Sequence, residues 1–566
     1  MGSPRFPEPP PSVPATPLAE VDAIVARLAQ KKDAWANLGI PERIALLEKC
    51  AVLVQEQARG WAITSCKAKG IDPNSPLGGE EWLAGPYQVA RNLRIYIDAL
   101  RANGEPKPKK LTKAPSGHTV AQVYPLTQKD ALFFPGVHAE VWLEKGKPVT
   151  QGAVYRDKSK KAGKLSLVLG AGNISCIGPM DVLNKLIIEN EICVLKMNPV
   201  NDYAGPFIKA SFQPLVDAGY FDVVYGGAEV GKHLTSHADI DTIHITGSAT
   251  THDFIIWGST PAEIEKNKAA KKPICTKPIT SELGAVTPLL VVPGPWSDAD
   301  IAFQAEHVAA MVSHNASFDC NAVKVLVVAK GWPLRQKFLD AVSKALSEVP
   351  PRKAYYPGAT DRFQKFVDQY PQAKIVGEKG PEIVPWTLIP EVPLKEGEYA
   401  LTNEAFCGVL AVTDIDVDDA SAFLEKGVKA ANEQIWGTLS CVMLCHPETE
   451  RAHKAEVERA LADLKYGGIA YNIWPGTIFG LVYTSWGAYP GHPLEDIRSG
   501  RGVVHNGLLF DHPEKSIVRG TFRMNPKPIW FPSHKTLHEM AEKLVRLEHN
   551  YSFLAAPSVI FSALRG

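Results

Sequence analysis

Short apolar runs alternate with helical stretches through the middle of the chain: KLSLVLG (164–170), EICVLK (191–196), FDVVYGG (221–227), IDTIHITGS (240–248) and TPLLVV (287–292). Segments such as 179–190 and 203–217 separate them. Near-continuous apolar strands with helices between them predict a parallel sheet covered on both faces. A second α/β region opens near residue 300, with a strand VKVLVVA (323–329), a helix PLRQKFLDAVSKAL (333–346) and strands GVLAVT (408–413) and SCVMLC (440–445). Upstream, PERIALLEKCAVLVQEQ places Pro41 in a first helical turn and Ile44, Leu47, Ala51 and Val54 on one face, so residues 18–102 read as mostly helical. Residues 117–155 change texture, mixing β-branched and aromatic residues with turn signals, which predicts strands or hairpins outside any parallel sheet. Near the C-terminus, TLHEMAEKLVRLEHN sets Leu537, Met540, Leu544 and Leu547 on one helix face, with Thr536 and Glu539 spaced as a capping box.

The chain has 566 residues, and a single core stops growing at roughly 250–300 residues, so two or more units are expected. Lys plus Arg and Asp plus Glu both total 61, which leaves no net charge to draw the chain to nucleic acid or an acidic membrane. Nine cysteines without a C-x-x-C pair fit neither a disulfide framework nor a zinc site, so a reducing compartment and no metal are expected. The N-terminal MGSPRFPEPPPSVPATP lacks an apolar signal core and reads as a disordered Pro-rich leader. No run is long and apolar enough to span a bilayer, and a cytoplasmic location is the expectation. The basic stretch KNKAAKKPICTK (266–277) reads as a solvated insertion.

Candidate chemistry sits at two places. In HNASFDCNAVKVLVVAKG (314–331), Cys320 lies among polar residues just before a strand. On residue type alone a core thiol is the default, since free cysteines are usually buried and inert. Glycines mark the strand-end loops, where a doubly wound sheet binds a dinucleotide: Gly226, Gly227 and Gly231 after one strand, Gly247 and Ser248 after another. Each is also an ordinary turn signal, and no G-x-G-x-x-G run is present.

Taken in order, six fragments resemble the aldehyde dehydrogenase superfamily over residues 20 to about 505. LGAGNISCIGP resembles the segment that places an asparagine, here Asn173, toward the substrate carbonyl. CVLKMNP resembles the cofactor-binding lysine strand, at Lys196. HLTSHADIDTIHITGS is similar to the strand ending in Thr-Gly-Ser, and SELGAVTP to the Glu-Leu-Gly-Gly motif, which puts Glu282 at the general-base position. Cys320-Asn321-Ala322 keeps the Cys-x-Ala core of the nucleophile loop. NEAFCGV is similar to the segment that places Glu404 and Phe406 at the nicotinamide ribose. This context reverses the default reading of Cys320 and implies a thiolate-favouring site.

The resemblance implies an α/β protein with a Rossmann-like parallel-sheet cofactor domain (18–116 and 156–290) and an α/β catalytic domain (291–475). A small β oligomerisation element (117–155 and 476–510), the leader (1–17) and a C-terminal extension (511–566) complete it. The implied reaction is NAD- or NADP-dependent oxidation of a small-molecule aldehyde by a homodimer or homotetramer, through a Cys320 thiohemiacetal and a thioester that Glu282 helps water to hydrolyse. A CoA-acylating dehydrogenase and a catalytically silent protein on the same scaffold are the alternatives. Three departures from the family pattern stand out: Ser317-Phe318 replaces Gly-Gln before the nucleophile, Ala285-Val286 replaces Gly-Lys, and Pro199 replaces the acid that holds the adenosine ribose. The last makes NADP admissible, with Lys196 as a phosphate partner. Trp474, Phe479, Tyr483 and Trp486 line either a substrate tunnel or the core.

Overall fold

The computed structural model describes residues 6–157, 159–550 and 556–566. Two sheets organise the chain. Four of the five apolar runs are parallel neighbours in a six-stranded sheet ordered Gly500–Arg501, Ile279–Leu283, Thr242–Gly247, Leu165–Leu169, Ile192–Lys196, Phe221–Val224. Only the short strand Gly500–Arg501 runs antiparallel. The fifth run, Thr287–Val291, belongs instead to the second sheet, parallel to both Val323–Ala329 and Ser440–Leu444. Only residues 284–286 separate it from Ile279–Leu283. A parallel neighbour in the same sheet needs a crossover of a dozen residues or more, so the chain steps from one sheet to the other. That step places Glu282 at the seam between them.

The second sheet has eleven strands. Its parallel centre is Pro513–Arg519, Gly468–Tyr471, Ser440–Leu444, Thr287–Val291, Val323–Ala329, Val409–Ile415 and Thr387–Ile389. Val323–Ala329 is buried at every position, as a central strand covered on both faces requires. The hairpin strands Lys110–Lys113, Thr119–Tyr124 and His138–Leu143 are antiparallel to one another but join this sheet, His138–Leu143 pairing with Pro513–Arg519. Two expectations are therefore corrected. Residues 117–155 extend a parallel sheet, and the segment after 510 is no appendage, because its first strand lies inside the sheet. No local pattern announces a pairing between segments so far apart in sequence.

The helical N-terminal region comprises Leu18–Ala29, Ile40–Ala68 and Gln88–Arg101, with shorter turns between. The C-terminal helix Leu537–His549 packs on Ile40–Ala68 and Gln88–Arg101. Glu548 staples it there, accepting from Arg91 Nη1 at 2.8 Å and Arg94 Nε at 2.5 Å. The capping box is not formed, since the Thr536 hydroxyl donates to Ser562 O at 2.7 Å and ties this helix to Ala556–Leu564. The leader also departs from expectation. Val13 N donates to Asp202 Oδ2 at 3.1 Å and Thr16 N to Tyr225 O at 3.1 Å, which ties residues 13–16 to the loops after Ile192–Lys196 and Phe221–Val224; residues 1–5 lie outside the described residues. No helix among the described residues is long and apolar enough to cross a membrane.

Candidate active site

The loop that carries Cys320 follows the helix Asp298–Ser313, which a capping box of Ser297 and Asp300 starts. Asn315, Ala316 and Ser317 then take φ of 49°, 56° and 67°. Left-handed backbone at non-glycine residues costs about 1–3 kcal/mol each and persists only where surrounding contacts enforce it. Here they do. Asn315 Nδ2 donates to Phe318 O at 2.8 Å and to Asn173 O at 3.2 Å. Its Oδ1 accepts from Lys69 Nζ and from Tyr355 OH, both at 3.0 Å. Lys69 is itself paired with the buried Glu81 at 2.9 Å, and Lys324 Nζ donates to Ser317 O at 3.1 Å and Oγ at 3.0 Å. Ser317-Phe318 is thus accommodated by a different set of cross-links, none visible from the motif alone.

Beyond the loop the chain enters Val323–Ala329, whose first residue pairs with Thr287. This pairing brings Cys320 to the seam that carries Glu282, and Cys320 Sγ lies 3.2 Å from Glu282 Oε1, with Asp319 Oδ1 at 3.8 Å. Burial, reinforced by Glu282 and Asp319, holds the thiol well above its usual pKa. The expected thiolate-favouring site is corrected accordingly: the resting group is a thiol donating to a carboxylate. Burial also raises Glu282 to about 7, where a carboxylate exchanges protons readily at neutral pH. Glu282 Oε2 is buried with no close hydrogen bond, and the Trp486 indole N–H also acts on this carboxylate. Asn173 completes the cluster, its Nδ2 donating to Phe318 O at 3.0 Å. One amide hydrogen is committed to the loop and the other is left for a ligand.

On the cofactor side, Lys196 ends Ile192–Lys196, and burial alone lowers it to about 8, with no acidic side chain contributing. Gly227 opens the helix Ala228–Ser236, and a Cβ at either Gly227 or Gly231 would meet nothing within 4 Å. Protein packing therefore does not demand these glycines, and the space beside them is open to a ligand. Gly247 ends its strand, and Ser248 caps Ala249–Ile256 by accepting from Thr251 N at 3.1 Å, so this hydroxyl is already engaged. Both helices begin at the C-terminal ends of parallel strands, the edge where doubly wound sheets bind anionic ligands.

Glu404 is half-buried, and the burial of its carboxyl raises it to about 7 while Lys324 pulls the other way. Its Oε1 has no protein partner. A Cβ on Gly284 would collide with the Glu404 carboxylate, which explains the glycine in SELGAVTP. Phe406 has φ 42°, and Arg362 fixes it by donating from Nε to Ala405 O at 3.1 Å and from Nη2 to Phe406 O at 3.2 Å. Pro199 is exposed. Asp202, the next acid along the chain, already accepts from the leader's Val13 N.

A mostly apolar cavity of about 490 Å³ opens beside the nucleophile, with Asp319, Asn321, Ile174 and Cys176 in its wall. Trp474 and Phe479 line it as expected. Tyr483 faces a second cavity, and Trp486 is fully buried with its ring edge-on to Phe479 at 5.9 Å. Sequence reasoning missed two contributors, the kinked helical segment around Leu83 to Arg91 and residues 521–537 of the C-terminal extension. The run NPKPIWFPSH (525–534), rich in proline and aromatic residues, was the available signal.

The model of the Aldehyde dehydrogenase family matches residues 186–362, a span that holds Lys196, Gly231, Gly247, Ser248, Glu282 and Cys320. Aldehyde dehydrogenase [NAD(P)+] 1 of Saccharomyces cerevisiae is 25% identical over 51% of this chain and 53% of its own length. The 4-trimethylaminobutyraldehyde dehydrogenase of Sus scrofa is 28% identical over 43% and 48% respectively. The matches thus span about half the length of these curated relatives. Among solved structures, the aldehyde dehydrogenase KauB from Pseudomonas aeruginosa superposes with a TM-score of 0.60 at 18% identity, covering 90% of each chain. The NADP-dependent glyceraldehyde-3-phosphate dehydrogenase from Bacillus halodurans, solved with NADP, gives 0.59 at 17% identity over 90% of this chain and 92% of that one. The fold is that of the aldehyde dehydrogenases, and residues 186–362, with Lys196, Glu282 and Cys320 among them, are similar to that family.

Proposed function

We propose that this chain oxidises an aldehyde to a carboxylic acid, with NAD or NADP as the hydride acceptor. The observation that carries the reading is the 3.2 Å contact between Cys320 Sγ and the buried Glu282 Oε1. Glu282 takes the thiol proton as Cys320 attacks the aldehyde carbon, and the thiohemiacetal oxygen is met by the spare Asn173 amide hydrogen. A bound nicotinamide supplies the hydride acceptor. Loss of hydride leaves a thioester on Cys320. Glu282, having released its proton, then deprotonates a water that attacks the thioester carbon; the acid departs and the thiol is restored.

The residues present fit the cofactor. Glu404 Oε1 is a buried acceptor without a partner, suited to a ribose hydroxyl, and Gly227 and Gly231 leave room for close backbone approach. Lys196, with no acid beside it, suits a phosphate or hydroxyl. The relatives' names support both dinucleotides, [NAD(P)+] in yeast and NADP in the Bacillus structure.

A buried base beside the thiol favours water over CoA as the resolving nucleophile, and the intact Cys320, Glu282 and Glu404 cluster argues against a silent scaffold. The test follows NAD(P)H absorbance with an aldehyde panel, with and without CoA, for the wild type and Cys320→Ala. Turnover without CoA that disappears in the variant supports the proposal. Turnover only with CoA installs the acylating reaction, and none with any aldehyde leaves a binding protein.

A further inference from the structure

We propose that residues 521–537 of the C-terminal extension form the specificity wall of this site, selecting an uncharged aldehyde carried on a bulky apolar or aromatic body. The inference rests on the dehydrogenase reading above and adds the substrate class.

Measured contacts lead from the nucleophile to the extension. Asp319 reaches Cys320 Sγ at 3.8 Å and His314 Nδ1 at 3.2 Å. The His314 ring lies 4.5 Å from Trp474, and Trp474 lies 5.9 Å from Trp530 between ring centroids. Trp530 is therefore the third side chain out from the residue beside the nucleophile. It and Met524, Ile529 and Phe531 line the 490 Å³ cavity together with Phe479 and Ile174. That volume falls within the roughly 300–1,000 Å³ of pockets that enclose drug-sized ligands, far more than a two- or three-carbon aldehyde fills.

The wall is fixed in place. Glu548, buried, binds both Arg91 and Arg94, so the helix that follows the wall is locked to the helix forming the cavity's other side. Phe531 is 2% exposed and its ring stands 5.1 Å from Phe303 and 5.5 Å from His307.

Charge accounts for the rest of the selection. Three ion pairs stand in the wall, Glu80 with Arg352 at 2.8 Å, Arg91 with Glu548 at 2.8 Å and Asp319 with His314 at 3.2 Å, while Arg91 Nη2 and the His534 ring nitrogens are buried without partners. Toward the opening, Arg523 pairs with Asp300 at 3.4 Å and Lys527 donates to Ser533 Oγ at 2.9 Å. Deep in the cavity a charged substrate would lose its hydration beside acids and bases that are already ion-paired. The unpartnered groups nearest the aromatic wall, the Trp474 and Trp530 indole N–H and the His534 ring that burial keeps neutral, carry no charge, whereas an apolar body gains the contact area of that wall.

The test has two arms. In the first, kcat/KM is measured for acetaldehyde, a bulky uncharged aromatic aldehyde, a carboxylate-bearing aldehyde and a trimethylammonium-bearing aldehyde, with wild type, Trp530→Ala and Trp530→Phe. The bulky uncharged aldehyde should lead in the wild type. Its kcat/KM relative to acetaldehyde should fall about tenfold or more in Trp530→Ala, mainly through KM, and recover in Trp530→Phe. Preference for either charged aldehyde, or an unchanged ratio in Trp530→Ala, overturns the proposal. In the second arm, the alcohol corresponding to the bulky aldehyde is titrated calorimetrically into Cys320→Ala, with and without Trp530→Ala. Binding weakened by loss of Trp530 supports the wall even if turnover fails, a failure that would then fall on the dehydrogenase reading. No binding, or binding indifferent to Trp530, overturns the wall itself.

Discussion

Glu282→Gln tests both halves of the proposed cycle, because the same carboxylate serves the thiol and the water. Glutamine keeps the shape and an acceptor for the Cys320 thiol, now 3.2 Å from Oε1, but cannot take a proton. With Glu282 at about 7, the wild-type base is half ionised at that pH and about one-tenth ionised one unit lower, so hydrolysis should fall about tenfold per unit below 7. In the variant the first-turnover release of NAD(P)H should slow, because the same carboxylate takes the Cys320 proton, and steady-state turnover should fall by about 10²–10⁴-fold and lose its pH dependence near 7. Stopped-flow absorbance at several pH values reads both phases. A stability measurement checks the same pKa independently. A carboxyl raised in the folded state is stabilising below its unfolded pKa of 4.5 and loses that contribution as pH rises through 7. Removing it should therefore raise stability above pH 7, by up to about 3 kcal/mol for a shift of this size, seen as a higher Tm at pH 8.5 than the wild type and little difference at pH 4.5. Wild-type turnover in Glu282→Gln, or no gain in Tm at alkaline pH, refutes the assignment.

Other outcomes follow from the same geometry. Because burial, Glu282 and Asp319 disfavour the thiolate, alkylation of Cys320 by iodoacetamide at pH 7 should be slower than that of a free thiol in solution and should speed up in Glu282→Gln; mass spectrometry of the modified peptide reads both. Pro199→Glu should move the ratio of NADP to NAD dissociation constants toward NAD by about tenfold or more, through repulsion of a 2′-phosphate and a new ribose hydrogen bond; titration of each cofactor decides it, and an unchanged ratio shows that another residue reads the ribose. Gly284→Ala should displace the Glu404 carboxylate and mimic Glu404→Ala in cofactor titrations; normal binding in the former with weakened binding in the latter would show that Glu404 is free to move.

The sequence by itself determined the element types and the order of the six motifs and nominated the candidate site residues, because these follow from local periodicity and from residue types at short spacing. It determined neither which sheet Thr287–Val291 joins nor where the strand Pro513–Arg519 goes, since strand partners are chosen by long-range packing that no local window contains. The resting state of Cys320 also lay outside its reach. A thiol's pKa depends on what stands within a few ångströms, and its Glu282 neighbour arrives through the change of sheet after Leu283, while Asn173 reaches the same loop from a third strand end. The leader's place against Asp202 and Tyr225, and the closing of the cavity by Trp530 and Phe531, likewise exist only once segments from opposite ends of the chain are packed together. Residue types set the available chemistry; the tertiary fold decided its protonation, its walls and its charge balance, because each is a property of neighbours in space.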